Sequence, residues 1–372
     1  MNDQKNINMN LNTIVSQAFE IDKNSKNNIS LLQMDDYFHL KRFKEQRFQE
    51  LKTKFVTEEN LDIVLSKKFE KSISKELLSI YKISFIDEDF FSSDYRYTIN
   101  QRMEYLEGKI LLFNSHMPQW AGSVSSLNNF ITLYLNSKNC FFIGWDWDNH
   151  HTLHVSSIIS ACSDIYCHAH FAHDFELSAH CDRRFRIAAT TFQWNDQVII
   201  DELNYLINSN RSNEALGWHV KYGLFQHREK LLTTLAKKHS YIGLLENGNS
   251  YFDKSNLERL REWGGHKVHW VVPTLNDLPC RVFDALITGG IPILPNYLKN
   301  DPALNGLHNL DCEYYTASEI FDSEKTISRA VDKFNEGGMS GILRRINAVL
   351  TNHTLSNRIY KILEIFQSSI KS

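Results

Sequence analysis

Short apolar runs that end in polar or glycine-containing loops, each followed by helical spacing, recur along most of this chain. They stand at Lys109–Asn114 (KILLFN), Cys140–Trp145 (CFFIGW), Asp164–Ala169, Tyr241–Leu245 and Val268–Val272. Runs apolar at consecutive positions suit parallel strands covered on both faces, and their alternation with helices predicts an α/β fold. Helices are expected over Ser156–Cys162, Asp196–Leu206, Gln226–Lys237, Asn256–Trp263 and Arg281–Ile287. Ile187–Trp194 reads as a strand closing a first domain, Ala215–Gly223 as the opening of a second, and Glu313–Tyr315 as a last short strand. Glu319–Phe334 and Met339–Ile370 are helical in period.

The amino-terminal third differs. Residues 1–30 are rich in Asn, Ser and Lys, the composition of a loosely docked arm. From Asp35 to Tyr81 the pattern reads as helical, with Leu40, Phe43, Phe48, Leu51 and Phe55 on one side and Lys41, Arg42, Lys44, Arg47, Lys52 and Lys54 between them. A basic amphipathic helix can lie on an anionic membrane, but such charges are more often the wet face of a packed domain, and Glu45 and Glu50 dilute the charge here. The expected organisation is a helical extension at 1–107, Rossmann-like domains at 108–205 and 212–345 joined through the polar Asn208–Asn213, and a carboxy-terminal helix at 346–372.

Composition narrows the picture modestly. A chain of 372 residues with 42% hydrophobic content can bury two medium cores. The formal charge of −3 excludes little, and nothing in the sequence suggests a nucleic-acid partner. Six cysteines without a C-x-x-C pair fit reduced, buried thiols. No run approaches the roughly 18 apolar residues of a membrane span, and MNDQKNINMNLN lacks the apolar centre of a signal peptide, so a cytoplasmic setting is expected.

The densest candidate chemistry lies in Lys267–Asn296, KVHWVVPTLNDLPCRVFDALITGGIPILPN. It reads as strand, loop, short helix and strand, with the loop at the carboxyl edge of a parallel sheet, where α/β folds bind ligands. Arg281 falls in the first helical turn, where a guanidinium can grip a diphosphate. Asp284, one turn on, can accept hydrogen bonds from a sugar hydroxyl. Their spacing of three also suits a structural ion pair.

The order Arg-Val-Phe-Asp-Ala-Leu-Ile-Thr-Gly-Gly-Ile-Pro-Ile-Leu resembles the donor-site segment of two-Rossmann-domain (GT-B) glycosyltransferases, nearest the exostosin-like, fucosyltransferase-like and family 1-like pattern. Asp284 stands where that family usually has Glu, and Asn276 where retaining members keep a first Glu. The resemblance implies a transferase that moves sugar from a phosphate-activated donor, with a nucleoside-diphosphate sugar as the default, to a hydroxyl of a glycan or glycolipid. It requires no cofactor. Lys221, Arg228, Arg281, Asp284, Thr288 and Gly289 would contact the donor. His116, Gly122 and Ser123, in the loop after KILLFN, would contact the acceptor, and a base among Asp148, His150, His151 and His168 would take its proton.

Two other chemistries stay open. Asp146-x-Asp148 after a strand resembles the divalent-metal signature of single-domain (GT-A) transferases. His168, His170, His173, His180 and Cys181 are zinc-ligand types, although their spacing matches no standard set. A non-catalytic carbohydrate- or nucleotide-binding protein of the same fold would carry the same donor segment.

Overall fold

The computed structural model describes residues 34–56, 61–115, 117, 124–147, 153–170, 180–223, 225–246, 253–275, 277–307 and 310–372. The chain forms two compact units, one running to Ala188 and resumed at Ile359–Ser372, the other Ala189–Arg358. Both are α/β with parallel sheets flanked by helices, an architecture of the Rossmann-like kind.

Among the described residues the first unit holds six strands: β1 (Asp62–Ser66), β2 (Lys82–Ile86), β3 (Lys109–Asn114), β4 (Cys140–Asp146), β5 (Ile165–His168) and β6 (Arg184–Arg186). All pair in parallel, in the order β2-β1-β3-β4-β5-β6. Every residue of β4 is buried, as its unbroken apolar run requires. Phe141 and Phe142, adjacent on that strand, serve opposite faces. Phe142 packs edge-on to Tyr134 and Phe113, while Phe141 meets Phe48, Phe55 and Phe366 at centroid distances of 4.9–5.7 Å.

Asp164, just before β5, ties the unit together. It accepts Arg47 Nε at 2.9 Å, the Phe142 amide at 2.8 Å and the Tyr134 hydroxyl at 3.3 Å. Arg47 also donates to the carbonyls of Ser137 and Cys140. The Met34–Phe55 helix is therefore pinned by an ion pair buried in the core.

That geometry corrects the place of two of the basic residues, while Lys41, Arg42 and Lys54 stay exposed. Arg47 and Lys44 turn inward, Lys44 donating to the carbonyls of Ser160 and His180. Arg183 pairs with Glu45, and Lys41 with Asp182. The helical pattern expected to Tyr81 stops at Phe55, because Ile63-Val64-Leu65 is a consecutive, partly β-branched run that enters the sheet. KILLFN is consequently the third strand in the chain. Ile187–Trp194 carries no strand. β6 precedes it, and the Ile187 carbonyl accepts the Trp145 indole at 2.8 Å.

In the second unit, β7 (Gly217–Val220) pairs with β8 (Ile242–Leu245), and β10 (Ile291–Pro295) lies between β9 (Val268–Trp270) and β11 (Glu313–Tyr315). Isolated parallel bridges, Ser212↔His266 and Leu216↔His269, join the two groups, giving the order β8-β7-β9-β10-β11. The direction of strand addition reverses between β7 and β9, which makes their carboxyl ends the switch point of this sheet. Residues 208–213 lie within this unit, where Arg211 is buried. The long Ser323–Asn352 helix breaks at Gly338, whose φ of 49° and ψ of −148° only glycine adopts readily. Among the described residues no helix is long and apolar enough to cross a membrane.

Removing one partner of the Arg47–Asp164 pair strands a buried charge. Arg47→Ala or Asp164→Ala should cost about 3–5 kcal/mol in urea unfolding, whereas exchanging both for apolar residues of similar volume should cost much less.

Candidate functional site

The segment that sequence singles out folds as expected, with a seven-residue helix at Arg281–Ile287 between β9 and β10. Residues Val282–Ile287 are all buried, so only the first turn meets the edge of the sheet. Cys280 is the N-cap residue, and its side chain makes no capping bond to the helix. Leu275, in the preceding loop, has a φ of 56°, the only positive value at a non-glycine among the described residues, and the Tyr297 hydroxyl donates to its carbonyl at 2.8 Å. A helix this short has little dipole, so side chains must supply any anion affinity at this edge.

Two arginines do so. Arg281 Nη1 donates to the Trp218 carbonyl. Arg228, buried on the Gln226–Ala236 helix, donates from Nε to Val272 O at 3.2 Å and from Nη1 to Val220 O at 3.0 Å, while the Tyr222 ring covers its guanidinium. Both are thus fixed to carbonyls at the carboxyl ends of β7 and β9. Neither forms an ion pair among the described residues. Burial, and then the nearby Arg281 charge, pull the Arg228 pKa down. Two guanidinium groups held close repel each other, Asp277 and Glu229 offset the charge on Arg228 only in part, and guanidinium N–H donors are well matched to phosphate oxygens. Lys221 lies at the same edge, exposed and paired with Glu246 at 3.1 Å.

The remaining donor-side residues sit elsewhere. Asp284 is buried and faces the 189–195 segment: Gln193 Nε2 donates to its Oδ2 at 2.9 Å, while Oδ1 has no hydrogen-bond partner among the described residues. Burial raises its pKa to about 6, against opposing contributions from Thr191, Gln193, Arg281 and Arg259. Thr288 and Gly289 end the helix at the opposite edge, roughly 10 Å from Arg281 at about 1.5 Å per residue. Thr288 Oγ1 bonds back to the carbonyls of Asp284 and Ala285. The Thr288 and Gly289 carbonyls accept Arg211 and Arg345, at 2.8 and 2.9 Å. A side chain at Gly289 would meet Ile342 at 2.7 Å. The structure does not bring these two residues together with Arg281; they terminate the helix.

On the acceptor side, His116, Gly122, Ser123, Asp148, His150 and His151 lie outside the described residues, as does Asn276. His168, at the carboxyl end of β5, donates from Nδ1 to the His170 carbonyl at 3.0 Å, which makes Nε2 its basic nitrogen. His170 Nε2 bonds the Trp147 carbonyl at 2.7 Å. Asp146 is buried and accepts the Tyr166 hydroxyl at 2.7 Å. Cys181 directs its thiol at backbone carbonyls, and burial with nearby Lys44 lowers the His180 pKa to about 4. His173 lies outside the described residues. Among those described, no three His, Cys, Asp or Glu side chains converge as a metal site would need.

One participant escaped sequence reading altogether. His219, buried in β7, bonds the Gly217 carbonyl through Nδ1 at 2.8 Å and accepts the Val272 amide at Nε2 at 3.1 Å. Nothing in GWHVKYG announces it, because a lone histidine in a strand is an ordinary core residue. No protein-family model matches this chain, and no curated protein matches it in sequence.

The raised Asp284 pKa has a measurable consequence. The folded protein binds this proton more tightly than the unfolded chain, so stability falls as pH rises from about 4 to about 6 and the full penalty stands above that window. Asp284→Asn, which keeps an acceptor for Gln193, should be more stable than wild type at neutral pH by roughly 3 kcal/mol, with no gain below about pH 4. Denaturant unfolding at both pH values tests this. A variant less stable than wild type at neutral pH would overturn it.

Proposed function

We propose that the chain is a glycosyltransferase of the two-Rossmann-domain type, moving a sugar from a phosphate-activated donor to a hydroxyl of a glycan or glycolipid, in the setting of surface polysaccharide assembly. The observation that carries this reading is the pair Arg228 and Arg281, anchored at the β7/β9 switch point with no carboxylate partner among the described residues. Together with Lys221 they would stabilise the charge that builds on the departing phosphate, an electrostatic role that needs no bound cation. A nucleoside-diphosphate sugar is the leading donor class. The acceptor base is sought in the first unit, among Asp148, His150, His151 and His168. His168 is favoured in one respect, since its bond to His170 O directs the basic character to Nε2.

The metal-dependent alternative loses support at Asp146, whose oxygen is occupied by the Tyr166 hydroxyl. One observation favours a second reading. Asp284 is buried and bonded by Gln193 rather than presented to a ribose, so a ligand-binding protein without turnover also fits. Release of free sugar or glycoside product separates the two.

A thermal-shift panel of sugar nucleotides, sugar phosphates and free nucleotides should find one class that raises the midpoint of wild type. Saturation at about 100 times Kd is worth roughly 2.7 kcal/mol. Arg281→Ala should weaken that ligand about tenfold or more, the usual size of a lost charge-assisted bond. A panel with no stabilising donor, or a shift that survives Arg281→Ala, contradicts the reading.

A further inference from the structure

We propose that His219 is the positioning residue of this anion site: a neutral imidazole, protonated at Nδ1, that stands between β7 and β9 and sets the two arginines at their spacing. The inference rests on the anion-site reading above. Its basis is the fate of each backbone group where the strands part.

β7 and β9 are linked through Leu216, whose amide donates to Val268 O at 3.1 Å and whose carbonyl accepts the Trp270 amide at 2.8 Å. In a parallel ladder the next bond on that side would run from the Val272 amide to the Trp218 carbonyl. Here the two groups have separate partners. The Val272 amide donates to His219 Nε2, and the Trp218 carbonyl accepts Arg281. One step further, the Val220 and Val272 carbonyls, the acceptors of the rungs that would follow, are both held by Arg228. The imidazole is a wedge. By taking the amide, it leaves three strand carbonyls to anchor two guanidinium groups.

The chemistry of the ring fits only one protonation state. Gly217 O is an acceptor, so Nδ1 must carry a proton; the Val272 amide is a donor, so Nε2 must not. The surroundings enforce this. Burial pushes the imidazole well below its usual pKa, and Arg281, then Arg228, add to the effect, while the Gly217 carbonyl opposes it. Gly217 itself is sterically required, since a side chain there would stand 3.0 Å from the Trp270 carbonyl and 3.2 Å from Ile242.

The test uses full-length protein and inorganic diphosphate as the probe, with affinity measured by calorimetry well below the unfolding midpoint so that loss of fold and loss of binding are read separately. Wild type should bind diphosphate and Arg281→Ala should not; if wild type fails to bind, the anion-site reading itself falls, and this inference with it. Given wild-type binding, His219→Leu, which removes both ring nitrogens, should weaken diphosphate about tenfold. His219→Gln, which can return an acceptor to the Val272 amide, should recover most of that loss. Side-chain nitrogen NMR supplies a readout independent of variant folding: the His219 ring should show protonated Nδ1 and bare Nε2, without titrating, from pH 8 to about pH 5. Diphosphate affinity unchanged in His219→Leu, or a ring that titrates near its ordinary pKa or carries its proton on Nε2, overturns the proposal.

Discussion

A carbonyl released from a sheet inside a protein has to find another donor, and that obligation shapes the candidate site. Where β7 and β9 separate, Trp218, Val220 and Val272 each present a carbonyl that the ladder no longer serves. Guanidinium groups satisfy them and have donors to spare. The same contacts that repair the sheet therefore hold two cations at its carboxyl edge, with fixed orientation and little conformational freedom left to lose on binding. Structural repair and ligand preorganisation become one arrangement, and His219 is the part that makes the strands separate.

The rest of the second unit is consistent with a segment under load. Arg281 stands at the amino end of its helix, beside Arg228, while Arg211 and Arg345 satisfy the free carbonyls of Thr288 and Gly289 at the carboxyl end. Burial lowers the pKa of each of these caps to about 10, so even the stabilising pair carries a desolvation cost. Asp284, a buried carboxyl on the same helix, carries another. The first unit solves a comparable problem conventionally, with Arg47 and Asp164 neutralising each other inside the core. The switch-point arginines differ from that pair in having no ion-pair partner among the described residues, a place that an external anion would take.

Much of the fold was legible because parallel strands covered on both faces write themselves as apolar runs. KILLFN is a strand over its whole length, and the Arg281–Ile287 helix has the bounds its spacing predicts. β1 and β2 were missed because Asp62–Ser66 and Lys82–Ile86 are five residues long and are embedded among charges that continue the helical pattern before them. The site was legible only in part. Arg281 and Arg228 are identifiable by type and place, but their meeting depends on a strand order that sequence does not display. Asp284 turns to Gln193, ninety-one positions away, and Thr288 and Gly289 face the far edge for the simple reason that a helix carries its last residues away from its first. His219 acts through which backbone groups it replaces, and those are invisible until β9 is placed beside β7.

The most direct test is to locate a heavy oxyanion by X-ray diffraction. Crystals soaked in tungstate should show an anomalous peak within hydrogen-bond distance of both Arg228 and Arg281, at the carboxyl ends of β7 and β9. A peak elsewhere on the second unit, with those two side chains unmoved and uncontacted, would contradict the account.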